Sequence, residues 1–467
     1  MLFSSMIFVY VFLPLVLALH WLVPRSQRNV VLLLASIHFD AWGEPMYVVM
    51  MLTTILINYI GALVLEKVRR GRMLVVIATI VLDLSLLGYF KYFNFLLEIC
   101  NSAFGTGFDF IKVVMPIGIS FYTFQSLSYV VDVYRGEVVA QRNIAKLALY
   151  VSFFPQLVAG PIVKYHDIAH EIEQRGISLD DGLYGARRFM IGLAKKMLLA
   201  NTLGVVADHV FAQDRAATSV LTAWIGAMAY SLQIFFDFSG YSDMAIGLGR
   251  LFGFHFLENF NYPYVAKSIT EFWRRWHISL STWFREYLYI PLGGNRMGTG
   301  RTYVNLFIVF VVTGIWHGAS WNFVIWGLWH GLFIIFERVS DLYKKTGGWL
   351  FESVRHIYTL LVVLFGWVLF RSDDLSSAMG YLKNMLGLVG KGDAVTSFVP
   401  SVVDHTELLA FVVAVLLCTP MTHGKFLDGK LPFGVGVIRD IVLLGLFILS
   451  TIWMASSTYN PFIYFRF

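Results

Sequence analysis

The sequence predicts an all-α, polytopic integral membrane protein, and three observations carry that reading. Hydrophobic residues fill 57% of the 467 positions and charged residues only 14%, against about 25% charged in a soluble domain. Apolar stretches of membrane-crossing length recur along the whole chain. Several are interrupted by proline, glycine or carboxylate, which membrane depth tolerates only where protein or a wet cavity surrounds them.

In order, the apolar stretches fall at 6–23, 30–41, 45–65, 73–98, 113–133, 145–163, 189–211, 218–250, 303–317, 321–336, 354–371, 406–420 and 436–456. At ~20 residues per span they predict about eleven crossings, with short stretches left as re-entrant or interfacial helices. The first lacks a small-x-small cleavage site and reads as a retained helix. With no Gly/Ser linker, low-complexity run or internal repeat, residues 1–467 read as a single transmembrane domain.

The net charge of +6 is small, and its placement says more. Lys67, Arg69, Arg70 and Arg72 form one basic cluster, Arg274, Arg275, Arg285, Arg296 and Arg301 a second, and Arg338, Lys344 and Lys345 a third. The positive-inside bias puts all three on the cytoplasmic side. This is a topology pattern with lipid as the surrounding partner, and no nucleic acid is implied. The only cysteines, Cys100 and Cys418, build neither a disulfide framework nor a ligand set. His166 and His170 have helical ligand spacing, but the sequence shows no third ligand, so no metal is expected.

Breaks occur at Pro116, at Phe154-Pro155-Gln156 and at Ala159-Gly160-Pro161. The run 233–249 places Asp237, Tyr241 and Asp243 inside an apolar segment. Helices packing through small and polar residues would explain part of this. Two carboxylates at membrane depth favour a funnel or tunnel that they line.

Residues 272–294 read FWRRWHISLSTWFREYLYIPLGG. At 3.6 residues per turn, Trp273, Trp276, Leu280, Phe284 and Tyr287 share one face and the arginines the other, with His277 at the boundary. Pro291 and Gly293-Gly294 end the pattern. An interfacial amphipathic helix accounts for it. A second reading adds that Arg274, Arg275, Arg285 and Arg296 attract the phosphates of a donor, since guanidinium matches phosphate in geometry and charge. No GxxxxGK[ST] loop is present, so a nucleotide here is a group carrier rather than a hydrolysed fuel.

Trp316-His317-Gly318 lies within a membrane-length stretch. Imidazole is suited to proton transfer near neutrality, and its placement in a bilayer is a functional signal. Trp316 and Trp321 are placed to wall the site, and Gly318 to admit a substrate. His330 repeats the Trp-His-Gly theme. A turn at Gly318-Ala319-Ser320 would put the two histidines on antiparallel neighbours, with His330 either a packing residue or part of the tunnel.

Residues 272–294, 313–321 and 233–249, with 116–136 and 153–161, together resemble the membrane-bound O-acyltransferases. The resemblance is to the bacterial branch that contains the membrane subunit of alginate O-acetyltransferase. It covers the chain to about residue 338. It implies a helical bundle around a funnel or tunnel, with His317 as the catalytic histidine and His277 as a second. It also implies a cytoplasmic thioester donor such as acetyl-CoA, a location in the bacterial inner membrane, and an acyl group passed across it. The implied partners are an extracytoplasmic SGNH-type acetyltransferase and a polysaccharide synthesis and export complex, with alginate, cellulose or peptidoglycan as the polymer type. A polytopic transporter or flippase for a polysaccharide precursor or lipid-linked substrate is the competing expectation, on the strength of the broken helices and intramembrane carboxylates.

Overall fold

The structure is a computed structural model and describes residues 1–467 apart from 44, 159, 214–217, 389–402, 421–430, 458 and 464–467. Among the described residues every regular element is a helix. Among the described residues, Pro45–Lys67, Arg72–Phe104, Leu179–Phe211, Val220–Leu251, Thr299–His317, Trp349–Arg371 and Phe433–Ser456 are the 7 helices long and apolar enough to cross a membrane. Sequence alone predicts about eleven crossings. The difference lies in Phe8–Leu22 and His405–Leu417, which are shorter, in Ile119–Arg135, which has 17 residues and buries Ser120, Thr123, Gln125, Ser126, Ser128 and Asp132, and in Trp321–Val339, which carries Asn322, His330 and Glu337.

Contacts group the chain into two units, residues 1–189 with 242–257, and residues 190–241 with 258–467. In the first, Phe3, Phe8, Phe12, Phe39 and Phe154 form a cluster of rings with centroids 4.9–6.5 Å apart. Pro155 sits in the first turn of the short helix Phe154–Leu157, where its missing N–H leaves no helical acceptor unpaired. Ala159 lies outside the described residues. Helix Ile119–Arg135 is buried along nearly its whole length, and Asp132 meets His166 at 2.9 Å.

His166 also reaches Asp167 at 3.2 Å. Hydrogen bonds to Asp132 and Asp167 raise its imidazole from 6.5 to about 10. A raised pKa means that the charged form stabilises the fold. The contribution is complete below about pH 6.5, fades as pH rises, and is gone above about 10. His166→Gln is therefore expected to lower Tm most near pH 6, with the difference from wild type shrinking steadily towards pH 10. Thermal melts in detergent across that range check it. The ring is 32% exposed, so solvent screening reduces the effect.

The second unit is organised around the hairpin of Thr299–His317 and Trp321–Val339. Their backbones approach through glycines. A Cβ on Gly314 would meet the Phe323 carbonyl at 2.3 Å, and one on Gly327 the Phe310 carbonyl at 2.3 Å. Residues 318–320 form the turn, as the sequence predicts, and His317 ends one helix while His330 lies on its antiparallel neighbour.

The basic aromatic segment departs from the single amphipathic helix expected of its periodicity. It forms Ile269–Arg275, then Ile278–Phe284, then a π turn over Arg285–Tyr289. The break falls on His277, in the left-handed region at φ 45° and ψ 55°. Its cause is Asn259, whose side-chain oxygen accepts from Ser279 N at 3.2 Å and Ser279 Oγ at 2.9 Å, while its carbonyl accepts from Ile278 N at 2.9 Å. These bonds replace the helical ones that a continuous helix would make.

Candidate active site

His317 and His277 both lie in the second unit and are buried, 6% and 1% exposed. Trp316 stands between them, its ring 4.9 Å from His317 and 6.4 Å from His277. His317 is further enclosed by the rings of Trp326 at 4.9 Å and Phe370 at 5.1 Å. Phe370 and the turn residues Gly318, Ala319 and Ser320 also line a cavity of about 260 Å³, completed by Gln233, Arg371 and Ile463 among others. His317 does not itself line this space, but its chain neighbour Gly318 and its ring neighbour Phe370 do. A Cβ on Gly318 would meet the Phe323 ring at 2.2 Å, so this part of the wall requires glycine.

The backbone strain at His277 has a chemical counterpart. Its Nδ1 lies 3.1 Å from Asn259 Oδ1. Ser279 N–H donates to that same oxygen, which fixes it as an acceptor and gives Nδ1 the hydrogen. Nε2 is then the basic atom, and it is buried with no hydrogen-bond partner among the described residues. Burial pushes the imidazole down to about 3, so the ring is neutral near pH 7. Non-glycine residues persist in this backbone region only when their surroundings over-determine them, and they cluster at functional sites. Asn259→Ala is expected to slow catalysis by about 10–100-fold through loss of ring orientation, lowering kcat more than it raises KM. Asn259→Asp keeps the acceptor oxygen and is expected to restore part of the rate. Steady-state kinetics on folded variants checks both.

The structure separates several residues that the sequence groups together. Trp321, expected to wall the site, is 54% exposed and does not line the cavity. It opens its helix on the outer face, and Trp326, five residues on, takes the place against His317. His330 is fully buried, its ring 5.1 Å from Trp326 and 5.2 Å from Trp273, with neither nitrogen bonded among the described residues. Trp326 therefore touches both His317 and His330.

Asp237 belongs to the second unit and pairs with Lys196 at 2.7 Å, while its other oxygen accepts from Ile463 N at 2.9 Å. Lys196 also donates to the Pro461 carbonyl. This carboxylate acts by holding residues 461–463, and Pro461 and Ile463 line the cavity. Tyr241 packs its ring 4.9 Å from Phe462 in the same segment. Asp243 belongs to the first unit, where Arg188 approaches it at 2.6 Å. Among the arginines, Arg275 pairs with Glu271 and Arg285 with Glu286, each at 2.9 Å, while Arg274 and Arg296 are exposed. Sequence reasoning missed Asn259, Trp326, Phe370 and residues 461–463. Of these only Trp326 had a local signal, its place one helical turn before His330.

Comparison with known proteins identifies the family. Residues 138–347 match the model of the membrane-bound O-acyltransferase family, a span that includes His277, His317 and His330. A probable alginate O-acetylase AlgI of Pseudomonas putida is 41% identical over 100% of both chains. A peptidoglycan O-acetyltransferase of Helicobacter pylori is 35% identical over 84% of this chain and 80% of its own. A teichoic acid D-alanyltransferase of Bacillus subtilis is 26% identical over 56% and 68% respectively. Relatedness over its full length, with a family match that spans the buried histidines, means that the chain belongs to the membrane-bound O-acyltransferase family.

Proposed function

We propose that this protein is the membrane O-acyltransferase of a bacterial polysaccharide O-acetylation system, taking acetyl from cytoplasmic acetyl-CoA and passing it outward through the inner membrane. The observation that carries the reading is His317 at the turn of the glycine hairpin, buried yet next to the cavity that Gly318 and Phe370 line. Helix Thr299–His317 has 19 residues and is about 28 Å long, close to the hydrocarbon thickness. Its basic flank, with Arg296 and Arg301, faces the cytoplasm by the positive-inside bias. The basic aromatic segment reaches the other end of this helix, where Trp316 touches His277, so the donor drawn by its arginines is led to the cavity beside the turn and the acceptor meets it there.

In this mechanism the acceptor hydroxyl attacks the thioester carbonyl and His317 takes its proton, a contribution of ~10²–10⁴-fold. The C–O bond forms, the C–S bond breaks, and the proton passes to the departing thiolate. The backbone N–H of Gly318 supports the oxyanion. His277 serves as the second acid/base through Nε2, and Trp316 keeps the two imidazoles apart. Arg274 and Arg296, with Arg275 and Arg285, draw the phosphates of the donor to the cytoplasmic face. An SGNH-type protein of the export complex receives the acetyl group and esterifies the glycan, and names among the relatives support alginate or peptidoglycan as polymer types.

Purified protein in sealed vesicles, with radiolabelled acetyl-CoA supplied on the side of the basic loops, tests this. Label is expected to reach an acceptor, or water, on the opposite side. Label that stays wholly in the thioester, with intact acetyl-CoA carried across, would overturn the reading in favour of transport.

A further inference from the structure

Away from the histidine site, the first unit holds a group of basic side chains with buried donors that find no acceptor among the described residues. His20 lies near the end of helix Leu13–Leu22, Arg28 opens helix Arg28–Ala41, and Arg175 follows helix Tyr165–Glu173. His20 is fully buried, and neither ring nitrogen has a hydrogen-bond partner among the described residues. Arg28 and Arg175 both lie within electrostatic reach of His20 and of each other.

Arg175 is held in place by neutral oxygens only. Its Nε donates to the Phe252 carbonyl at 2.9 Å, and Nη1 donates to Asn29 Oδ1 and to the Glu171 carbonyl. Its guanidinium lies 4.6 Å from the Phe254 ring. Nη2 of Arg175 and Nε of Arg28 are buried without acceptors among the described residues. The Glu171 carboxylate gives both oxygens to His255, at 3.0 Å to the backbone N–H and 2.6 Å to Nδ1. Burial and the charge on Arg28 hold Arg175 down near 10, and the Glu171 carboxylate offsets this only in part.

Protein interiors pair nearly all such donors. Here several converge on one place, and all suit an oxyanion. The N-terminus of helix Arg28–Ala41, where Gln27 makes no side-chain cap bond, adds its partial positive charge. Trp21 packs 5.3 Å from the Arg28 guanidinium and is 53% exposed, and Leu22 beside it is 81% exposed. Trp and Arg at the end of an apolar helix are the composition of a membrane interface.

We propose that Arg28, Arg175 and His20 form a binding site for a phosphate group, presented by the headgroup of an anionic phospholipid or by a soluble phosphate. Guanidinium and imidazole N–H groups give the phosphate oxygens charge-assisted bonds, and Trp21 with Leu22 forms the apolar rim on which acyl chains would lie.

The test uses the full-length protein in neutral detergent. Dioctanoyl-phosphatidylglycerol, inorganic phosphate and the phosphate-free dioctanoylglycerol are titrated separately. Occupancy is read by native mass spectrometry and by thermal shift. The wild type is expected to bind at least one of the two phosphate probes about tenfold or more tightly than Arg28→Gln or Arg175→Gln, while Arg28→Lys keeps part of the affinity. Binding of phosphatidylglycerol alone identifies lipid as the source. Binding of inorganic phosphate as well identifies any phosphate. Equal binding of both probes by wild type and Arg28→Gln, or equally tight binding of dioctanoylglycerol by the wild type, would overturn the site. Arg28 is half-buried, so its variant keeps the experiment decisive if Arg175→Gln does not fold.

Discussion

His317→Ala is expected to reduce acetyl transfer by at least about a hundredfold while the protein remains folded. The lower bound follows from the ~10²–10⁴-fold usually supplied by a positioned acid/base group. Folding is expected to survive because alanine suits the end of helix Thr299–His317 and the loss is confined to the ring contacts with Trp316, Trp326 and Phe370. The measurement is transfer of label from acetyl-CoA, alongside thermal melting and size-exclusion of the variant. His317→Gln refines it by keeping much of the volume and a hydrogen-bonding end without the basic nitrogen, and it is expected to be as slow as alanine. Near-normal turnover by either variant would remove the imidazole from the chemistry and move the search to His277.

The second large effect is on the fold. Gly314→Ala and Gly327→Ala each place a Cβ 2.3 Å from a backbone carbonyl of the facing helix. A backbone oxygen cannot rotate aside, so the two helices must separate. Overpacking of this kind costs about 1–3 kcal/mol and occasionally more. Each variant is expected to melt several degrees below wild type, and the pair to be worse than either. Because the same helices carry His317 at their turn and His330 within the second, activity is expected to fall with stability. Gly445→Ala is the control. Nothing lies within 4 Å of its Cβ, and removing a glycine from the interior of Phe433–Ser456 favours the helix by up to about 1 kcal/mol. Equal melting temperatures for Gly314→Ala and Gly445→Ala would mean that the hairpin is not close-packed.

How much of this was legible beforehand depends on the distance over which each feature is determined. The helical membrane class, the turn at residues 318–320 and the antiparallel placement of the two histidines follow from local pattern, namely apolar length and a small-residue run between two helices. The break at His277 was not legible, since its cause is Asn259, 18 residues away in a segment without periodicity. Trp321 reads as a wall of the site from its place beside the turn, and only the start of the helix at Trp321 turns it outward and puts Trp326 against His317 instead. Asp237 read as a cavity-lining carboxylate. Its partner Ile463 lies 226 residues further on, and no local signal joins them. The arginines were legible as charge but not as pairs, because whether Glu271 or Glu286 takes up a guanidinium depends on rotamers.

The left-handed backbone at residue 277 has a consequence for anyone who sets out to make the protein sturdier. Glycine adopts that conformation without the steric penalty of a side chain, roughly 1–2 kcal/mol for a single residue. A library selected only for survival at high temperature would weigh that relief against the buried contacts of the ring with Asn259 and Phe238, and wherever glycine won the imidazole would be lost. With His277 in the proposed acid/base role, heat-resistant clones of that kind would be well-behaved and inert. Selection for robustness has to be coupled to turnover, or it will erode the very position at which the chain departs from its most comfortable geometry.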